Sequence, residues 1–386
     1  MARPVYLDHH ATTPVDPRVV DAMLPFFTER FGNAAARQYR LGWEAGEAVE
    51  QARKQVAALI GASAKDVIFT SGATESNNLA LKGAAAAAAA GRRSIVTVVT
   101  EHKAVLDPCR RLEAQGWTVT RLPVEPDGLL DLDRLRAAVD ERTALVSVMA
   151  ANNEIGVLQP LAEVSAIAHA QGALVHTDGV QAAGRVPFDV EAAGVDLASL
   201  TAHKLYGPKG VGALYVRRTP RRVAIEPLVD GGGHERGMRS GTLNVPGIVG
   251  FGAAAAVARD EMPSEAARLA ALRDRLLAAL EAGLEGLIVN GAMAPRLPGN
   301  LNVSVAGVDG EALLVSLVDD LAVSSGAACT AAEPSHVLKA LGRPTDLALA
   351  SLRFGLGRWT TEADVDFAAA RVCEVASRLR AMAPMK

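Results

Sequence analysis

The chain has 386 residues, of which 49% are hydrophobic and 22% charged, with a formal net charge of −3. That length supports two domains with sizeable cores, and the composition is that of a globular protein rather than a disordered one. The charge balance, without a long basic run, argues against nucleic-acid binding as the main task, and no apolar stretch reaches membrane-spanning length.

The N-terminal residues Met1-Ala2-Arg3-Pro4-Val5-Tyr6 lack the apolar core of a signal peptide. The three cysteines, Cys109, Cys329 and Cys373, show no metal-ligand spacing. So sparse and odd a count suits a reducing cytoplasm.

In chain order, a helix is expected over 44–60, ending at Gly61 as its C-terminal stop. From about 65 to 217 the pattern alternates: strand-like runs at 66–70, 94–99, 117–122, 144–149, 173–177, 196–200 and 211–216, and helix-like runs at 76–90, 103–115, 132–139 and 161–170. Strands alternating with helices predict an α/β body with a mainly parallel sheet covered on both faces. After about 258 the texture changes to a helix at 265–284, strands at 301–305, 321–323 and 351–354, a helix at 310–317 and a last helix at 362–382. This predicts a smaller α+β domain.

The chemistry-bearing residues gather where those strands end. Gly72-Ala73-Thr74-Glu75-Ser76 follows a strand and opens a helix, where free N–H groups and the helix dipole suit an anionic phosphate. His102 follows the next strand and can stack on a ring and move a proton near neutral pH. Asn153, after the 144–149 strand, can bond a phenolic oxygen; an Asx-turn at Asn152-Asn153 is the plainer alternative. Asp178 and Gln181 end the following strand, and Thr201-Ala202-His203-Lys204 ends the one after.

An acid and a lysine 26 residues apart on successive strand ends suit pyridoxal 5′-phosphate (PLP). The lysine can form the Schiff base and the carboxylate can keep the pyridine nitrogen protonated. The loop 231–242 is rich in glycine and arginine and ends in Thr242, with N–H and hydroxyl donors for a phosphate, or else links domains. Cys329 lies in the small-residue run Ser324-Ser325-Gly326-Ala327-Ala328-Cys329-Thr330, where a thiol can act as a nucleophile or simply be buried. Arg353, inside an apolar strand, can bind a substrate carboxylate or form a structural salt bridge.

Together these motifs resemble the PLP-dependent cysteine desulfurases, the NifS/IscS-like branch of the class V aminotransferase group. The resemblance extends from Tyr6-Leu7-Asp8-His9-His10-Ala11-Thr12-Thr13-Pro14 to Arg353-Phe354-Gly355-Leu356-Gly357-Arg358. It implies the PLP-dependent transferase fold (fold type I), with a large domain at 15–258 holding a seven-stranded mainly parallel sheet. A small domain, 1–14 and 259–386, carries the cysteine loop.

Implied roles are Lys204 as the Schiff-base lysine, His102 as the stacking acid–base and Asp178 as the partner of the pyridine nitrogen. Asn153 and Gln181 contact the phenolic oxygen, with Asn153 also at the substrate. Ala73, Thr74, Thr201 and His203 hold the phosphate, and Thr242 reaches over from the second subunit of a homodimer. Arg353 binds the carboxylate of L-cysteine. Cys329 takes the sulfur as a persulfide, leaving alanine, and passes it to an acceptor such as an iron–sulfur scaffold, with which it can transiently ligate a cluster; other thio-cofactors or tRNA thiolation are further outlets.

A selenocysteine lyase or another class V enzyme is the alternative, which Cys329 disfavours. The chain departs from the family pattern at Asn33-Ala34-Ala35-Ala36-Arg37-Gln38-Tyr39, which lacks the usual Pro, Ser and His, and at Thr201, where Ser is usual. The stretch after Cys329 and the C-terminus are also shorter than in members that dock a scaffold.

Overall fold

The computed structural model describes residues 3–325 and 333–382, so Cys329 lies outside the described residues. Seven strands form the central sheet: Val67–Thr70, Ser94–Val98, Thr118–Leu122, Thr143–Ser147, Leu174–Asp178, Leu197–Thr201 and Gly212–Val216. From one edge the order is Val67–Thr70, Gly212–Val216, Leu197–Thr201, Leu174–Asp178, Thr143–Ser147, Ser94–Val98, Thr118–Leu122. All run parallel except Gly212–Val216, which is antiparallel to both neighbours.

Successive residues of these strands serve different cores. Ile68, Ile95, Leu145, Leu197 and Leu214 pack on one side with Leu79 and Val105 of the helices Ala73–Ala86 and Lys103–Glu113. Phe69, Val96, Val146 and Ala198 pack on the other, with Val49 and Val56 of helix Arg40–Leu59. Two covered faces explain why the strands read as continuous apolar runs instead of alternating ones. The parallel order also brings five strand ends to the same edge of the sheet.

The smaller body is an antiparallel sheet, Leu287–Val289, Asn300–Val305 and Ser351–Gly355, with a short parallel pair, Val5–Tyr6 and Leu321–Ala322. Leu7 of the N-terminal segment packs into its core with Leu301, Val303, Phe354 and Val365.

One helix, Val245–Gly283, has 39 residues and belongs to both cores. Val245, Ile248, Phe251 and Ala258 join the large core, whereas Leu269, Leu272, Leu276 and Leu280 join the small one. The break after 258 therefore falls inside a continuous helix, and the helix expected from 265 begins twenty residues earlier, at Val245. Its early part is rich in glycine, which lowers helix propensity. The glycines are there for packing: a Cβ on Gly252 would come within 2.5 Å of the Ala52 backbone, and one on Gly250 within 2.4 Å of Met23 Sδ. Likewise the helix expected from 76 starts at Ala73, with Gly72 as its N-cap, which puts Ala73 and Thr74 in the first turn.

Candidate active site

A cavity of about 520 Å³ opens at the C-terminal edge of the parallel strands. Each strand end brings its residues there: Ala73 and Thr74 after Val67–Thr70, His102 after Ser94–Val98, Asn153 after Thr143–Ser147. Asp178 and Gln181 come from Leu174–Asp178, and Thr201, His203 and Lys204 from Leu197–Thr201. Arg353 enters from the small body's strand Ser351–Gly355. This is the crevice that open α/β sheets offer to ligands. Thr242 is exposed and does not line the cavity of its own chain.

Lys204 ends a single turn, Ala202–Lys204, and its Nζ donates to the carbonyls of His10 and Ala11. Burial, then the nearby cations Arg185 and Arg353, lower its pKa to about 7. A large fraction of the amine is therefore neutral, and nucleophilic, near neutral pH. Asp178 is buried; its Oδ2 accepts from Asn77 Nδ2 at 2.7 Å and its Oδ1 from the Val180 N–H at 3.1 Å.

Helix Ala73–Ala86 has no side-chain cap, so its leading N–H groups are left for a ligand at the cavity wall. Neither Ser71 nor Thr74 supplies a cap. Gly72 has φ 153°, and a Cβ on the facing Gly212 would sit 2.7 Å from the Gly72 backbone, so glycine is required at the approach. His203 Nδ1 lies 3.1 Å from Thr12 Oγ1, and burial together with Lys204 and Lys209 lowers its pKa to about 4, leaving a neutral ring beside the anion end. Thr201 Oγ1 donates to the Val211 carbonyl at 3.2 Å and keeps its lone pairs free to accept. His102 caps its own helix: Nδ1 accepts from the Ala104 N–H at 3.0 Å, which places the ring proton on Nε2.

The glycine-rich loop is anchored rather than a free linker. Arg239 pairs with Glu75 at 2.8 Å, while buried Glu235 accepts from Arg53 at 2.6 and 2.8 Å and from the Phe69 N–H at 2.7 Å.

Arg353 makes the structural salt bridge and still faces the cavity. It is 1% exposed, lines the cavity, pairs with Asp8 at 2.8 Å and donates to the Asn153 carbonyl at 3.0 Å, while its Nε has no partner. The Asx-turn belongs to Asn152, whose Oδ1 accepts from the N–H groups of Glu154 and Ile155 at 2.8 and 3.0 Å, and this leaves the Asn153 side chain free for the cavity.

Sequence reasoning passed over several residues here. His10 and Asn77 line the cavity, and Arg185 lies behind Lys204. Glu101 is fully buried next to His102, and burial plus the charge of Asp178 push its carboxyl well up. In the sequence only the adjacent pairs His9-His10 and Asn77-Asn78 mark any of them.

The residues fit PLP: a lysine with a partly neutral amine, a buried acid on the neighbouring strand and an uncapped helix start for the phosphate converge on one cavity. Comparison with known proteins agrees. The aminotransferase class-V family matches residues 5–367. A cysteine desulfurase IscS of Anaeromyxobacter sp. (strain Fw109-5) is 60% identical, covering 100% of this chain and 95% of that protein. The cysteine desulfurase IscS of Rickettsia bellii (strain OSU 85-389) is 52% identical over 99% of this chain and 93% of its own length. Among solved structures, a NifS-like protein superposes with a TM-score of 0.91 at 39% identity, covering 98% of this chain and 100% of that one. SspA in complex with cysteine gives 0.82 at 34% identity, covering 93% and 100%. The chain belongs to the aminotransferase class-V family, in its NifS/IscS-like cysteine desulfurase branch.

Proposed function

We propose that the protein converts L-cysteine to L-alanine and takes the sulfur onto Cys329 as a persulfide. The observation that carries this reading is the meeting, in one cavity, of a lysine whose amine is half neutral near pH 7, a buried carboxylate and a buried arginine with a free N–H. Bound PLP supplies an electron sink that makes the substrate Cα–H acidic and its Cβ–S bond labile.

The protein's residues do the rest. Lys204 holds the cofactor and moves the Cα proton. Asp178 keeps the pyridine nitrogen protonated, and His102, with its proton on Nε2, stacks on the ring and exchanges protons. Asn153 and Gln181 contact the phenolic oxygen, with Asn153 also against the substrate, and Arg353 receives the substrate carboxylate. The Ala73 and Thr74 end of the helix, with Thr201 and His203, would hold the phosphate. The Cys329 sulfur then forms an S–S bond to the substrate sulfur as the Cβ–S bond breaks. Cβ gains a proton and is reduced, and the two thiol sulfurs become a persulfide.

Two copies complete the assembly, with Thr242 of each reaching the phosphate of the other. Its exposure, and the apolar surface of Leu24, Phe27 and Phe31, support that reading. The enzyme works in the cytoplasm and hands sulfur to an acceptor protein such as an iron–sulfur scaffold. In keeping with this, Cys109 and Cys373 are free thiols, and among the described residues no helix is long and apolar enough to cross a membrane.

Incubation of the PLP-loaded protein with L-cysteine tests the reading. Alanine and sulfide are expected, with a persulfide on the Cys329 peptide. Cys329→Ala should retain the cofactor and lose sulfide release; a fully active variant would remove Cys329 as the sulfur carrier.

A further inference from the structure

We propose that Arg185 is a positioning residue for the active-site amine, closing a clamp that fixes both ends of Lys204 and aims the Nζ lone pair into the cavity. The proposal deepens the reading above and rests on Lys204 as the reactive amine. Arg185 follows the strand Leu174–Asp178 and spends its guanidinium on three inner acceptors. Its Nη2 donates to the carbonyls of His9 at 2.6 Å and Lys204 at 3.0 Å, and its Nη1 donates to His10 Nδ1 at 2.7 Å. Among the described residues it has no carboxylate within salt-bridge distance, so its direct partners are all uncharged acceptors, with Glu265 acting on it only through space.

The circuit closes on the same segment. The carbonyls of His10 and Ala11 are the two acceptors of Lys204 Nζ, and His10 O also accepts from Gln181 Nε2 at 3.0 Å. Arg185 thus ties the Lys204 main chain to the strip of chain that holds the Lys204 side chain. A neutral amine has two N–H groups and one lone pair; an ammonium has three N–H groups. Two carbonyls satisfy the neutral form and leave its lone pair for an electrophile, while a third N–H would lack an acceptor. The charge of Arg185 acts in the same direction.

The other groups facing the amine are Arg353, which reinforces Arg185, and Asp8 and Asp178, which oppose it. His203 and His10 are held neutral by burial, and Lys209 lies across the cavity. Because a guanidinium only donates, His10 Nδ1 must be an acceptor and its proton must sit on Nε2. Gln181 Oε1, 3.0 Å from that same nitrogen, receives no proton from it and stays available to a donor from the cavity.

The test reads the amine with no substrate turnover. The full-length protein, freed of cofactor, is labelled with acetic anhydride across a pH series, and acetylation is followed on the Lys204 peptide by mass spectrometry. Wild type should show a midpoint near 7 and Arg185→Gln should move it up by about one unit, cutting labelling roughly tenfold on the acid side, with Arg185→Lys, which keeps the charge but not the fork, between the two. Coincident midpoints for wild type and Arg185→Gln would overturn the proposal.

Should Arg185→Gln not fold, ¹⁵N NMR of His10 in the wild type decides. The proton is expected on Nε2 from about pH 6 to 8, and a proton on Nδ1 would refute the clamp. Failure of either measurement leaves the desulfurase reading standing. A wild-type protein unable to release sulfide would remove that reading without touching these two.

Discussion

Asn77 and Asp178 are 101 residues apart in the chain and 2.7 Å apart in space, with the amide Nδ2 donating to the carboxylate Oδ2. The helix that opens the cavity thus also holds the acid at its floor. Asn77→Ala removes one of two donors to a buried carboxylate, at about 1.5–3 kcal/mol for a hydrogen bond to a charged group. PLP affinity, titrated by absorbance on the cofactor-free protein, should fall by roughly tenfold or more, with the fold intact by circular dichroism. Unchanged affinity would show that Asp178 needs no help from Asn77.

Arg353 is buried against Asp8 at 2.8 Å with its Nε unpaired. Arg353→Ala should raise the KM for L-cysteine at least about tenfold, because a bidentate charge-assisted contact disappears. Arg353→Lys should recover only part of this, a point charge being a poor substitute for the guanidinium fork. Steady-state kinetics at saturating PLP check both; an unchanged KM would leave Arg353 with a structural task only.

Glu154 donates nothing to the cavity but adjoins Asn153, and burial raises its carboxyl to about 7 while Ser335 Oγ donates to it. Its folded value lies above the unfolded one, so the folded state holds the extra proton and stability declines as pH rises from about 4.5 to 7. Glu154→Gln keeps an acceptor for Ser335 and does not ionise. The variant should be more stable than wild type above pH 7, by up to roughly 3 kcal/mol, with the difference vanishing toward pH 4.5. Urea unfolding of both proteins across that range measures it; a constant difference would rule out Glu154 as the source.

Arg53 and Glu235 form a buried bidentate pair, and Glu235 has φ 48°, a left-handed backbone that asparagine or glycine would take more readily. Arg53→Ala leaves Glu235 buried without its cation and should destabilise the protein by about 3–5 kcal/mol. Replacing both, as Arg53→Met with Glu235→Gln, should recover part of that loss. Denaturant midpoints decide, and a cost below about 1 kcal/mol for the single change would mean that the pair is solvated.

What the sequence disclosed and what it hid follow from how each residue acts. Lys204, Asp178, His102 and Thr74 carry distinctive functional groups at strand ends, and a strand end is visible as an apolar run that stops. His10 and Ala11 serve Lys204 through main-chain carbonyls, which every residue has, so no residue type marks them. Arg185 and Asn77 work through contacts that only the folded chain creates. Helix Val245–Gly283 is longer than the sequence predicts because its glycines look like breakers until Ala52 and Met23 are placed against them.

That long helix has a mechanical consequence. At 1.5 Å per residue its 39 residues make a rod of roughly 58 Å shared by two cores. The two bodies are joined there by helix rather than by a loop, held by leucines at one end and by glycine contacts with Ala52 and Met23 at the other, with Pro263 between them. Arg353 rides on the lesser body and Lys204 on the greater, so a bend of the helix at Pro263, between the half packed in the large core and the half packed in the small one, would change the spacing between these two cations.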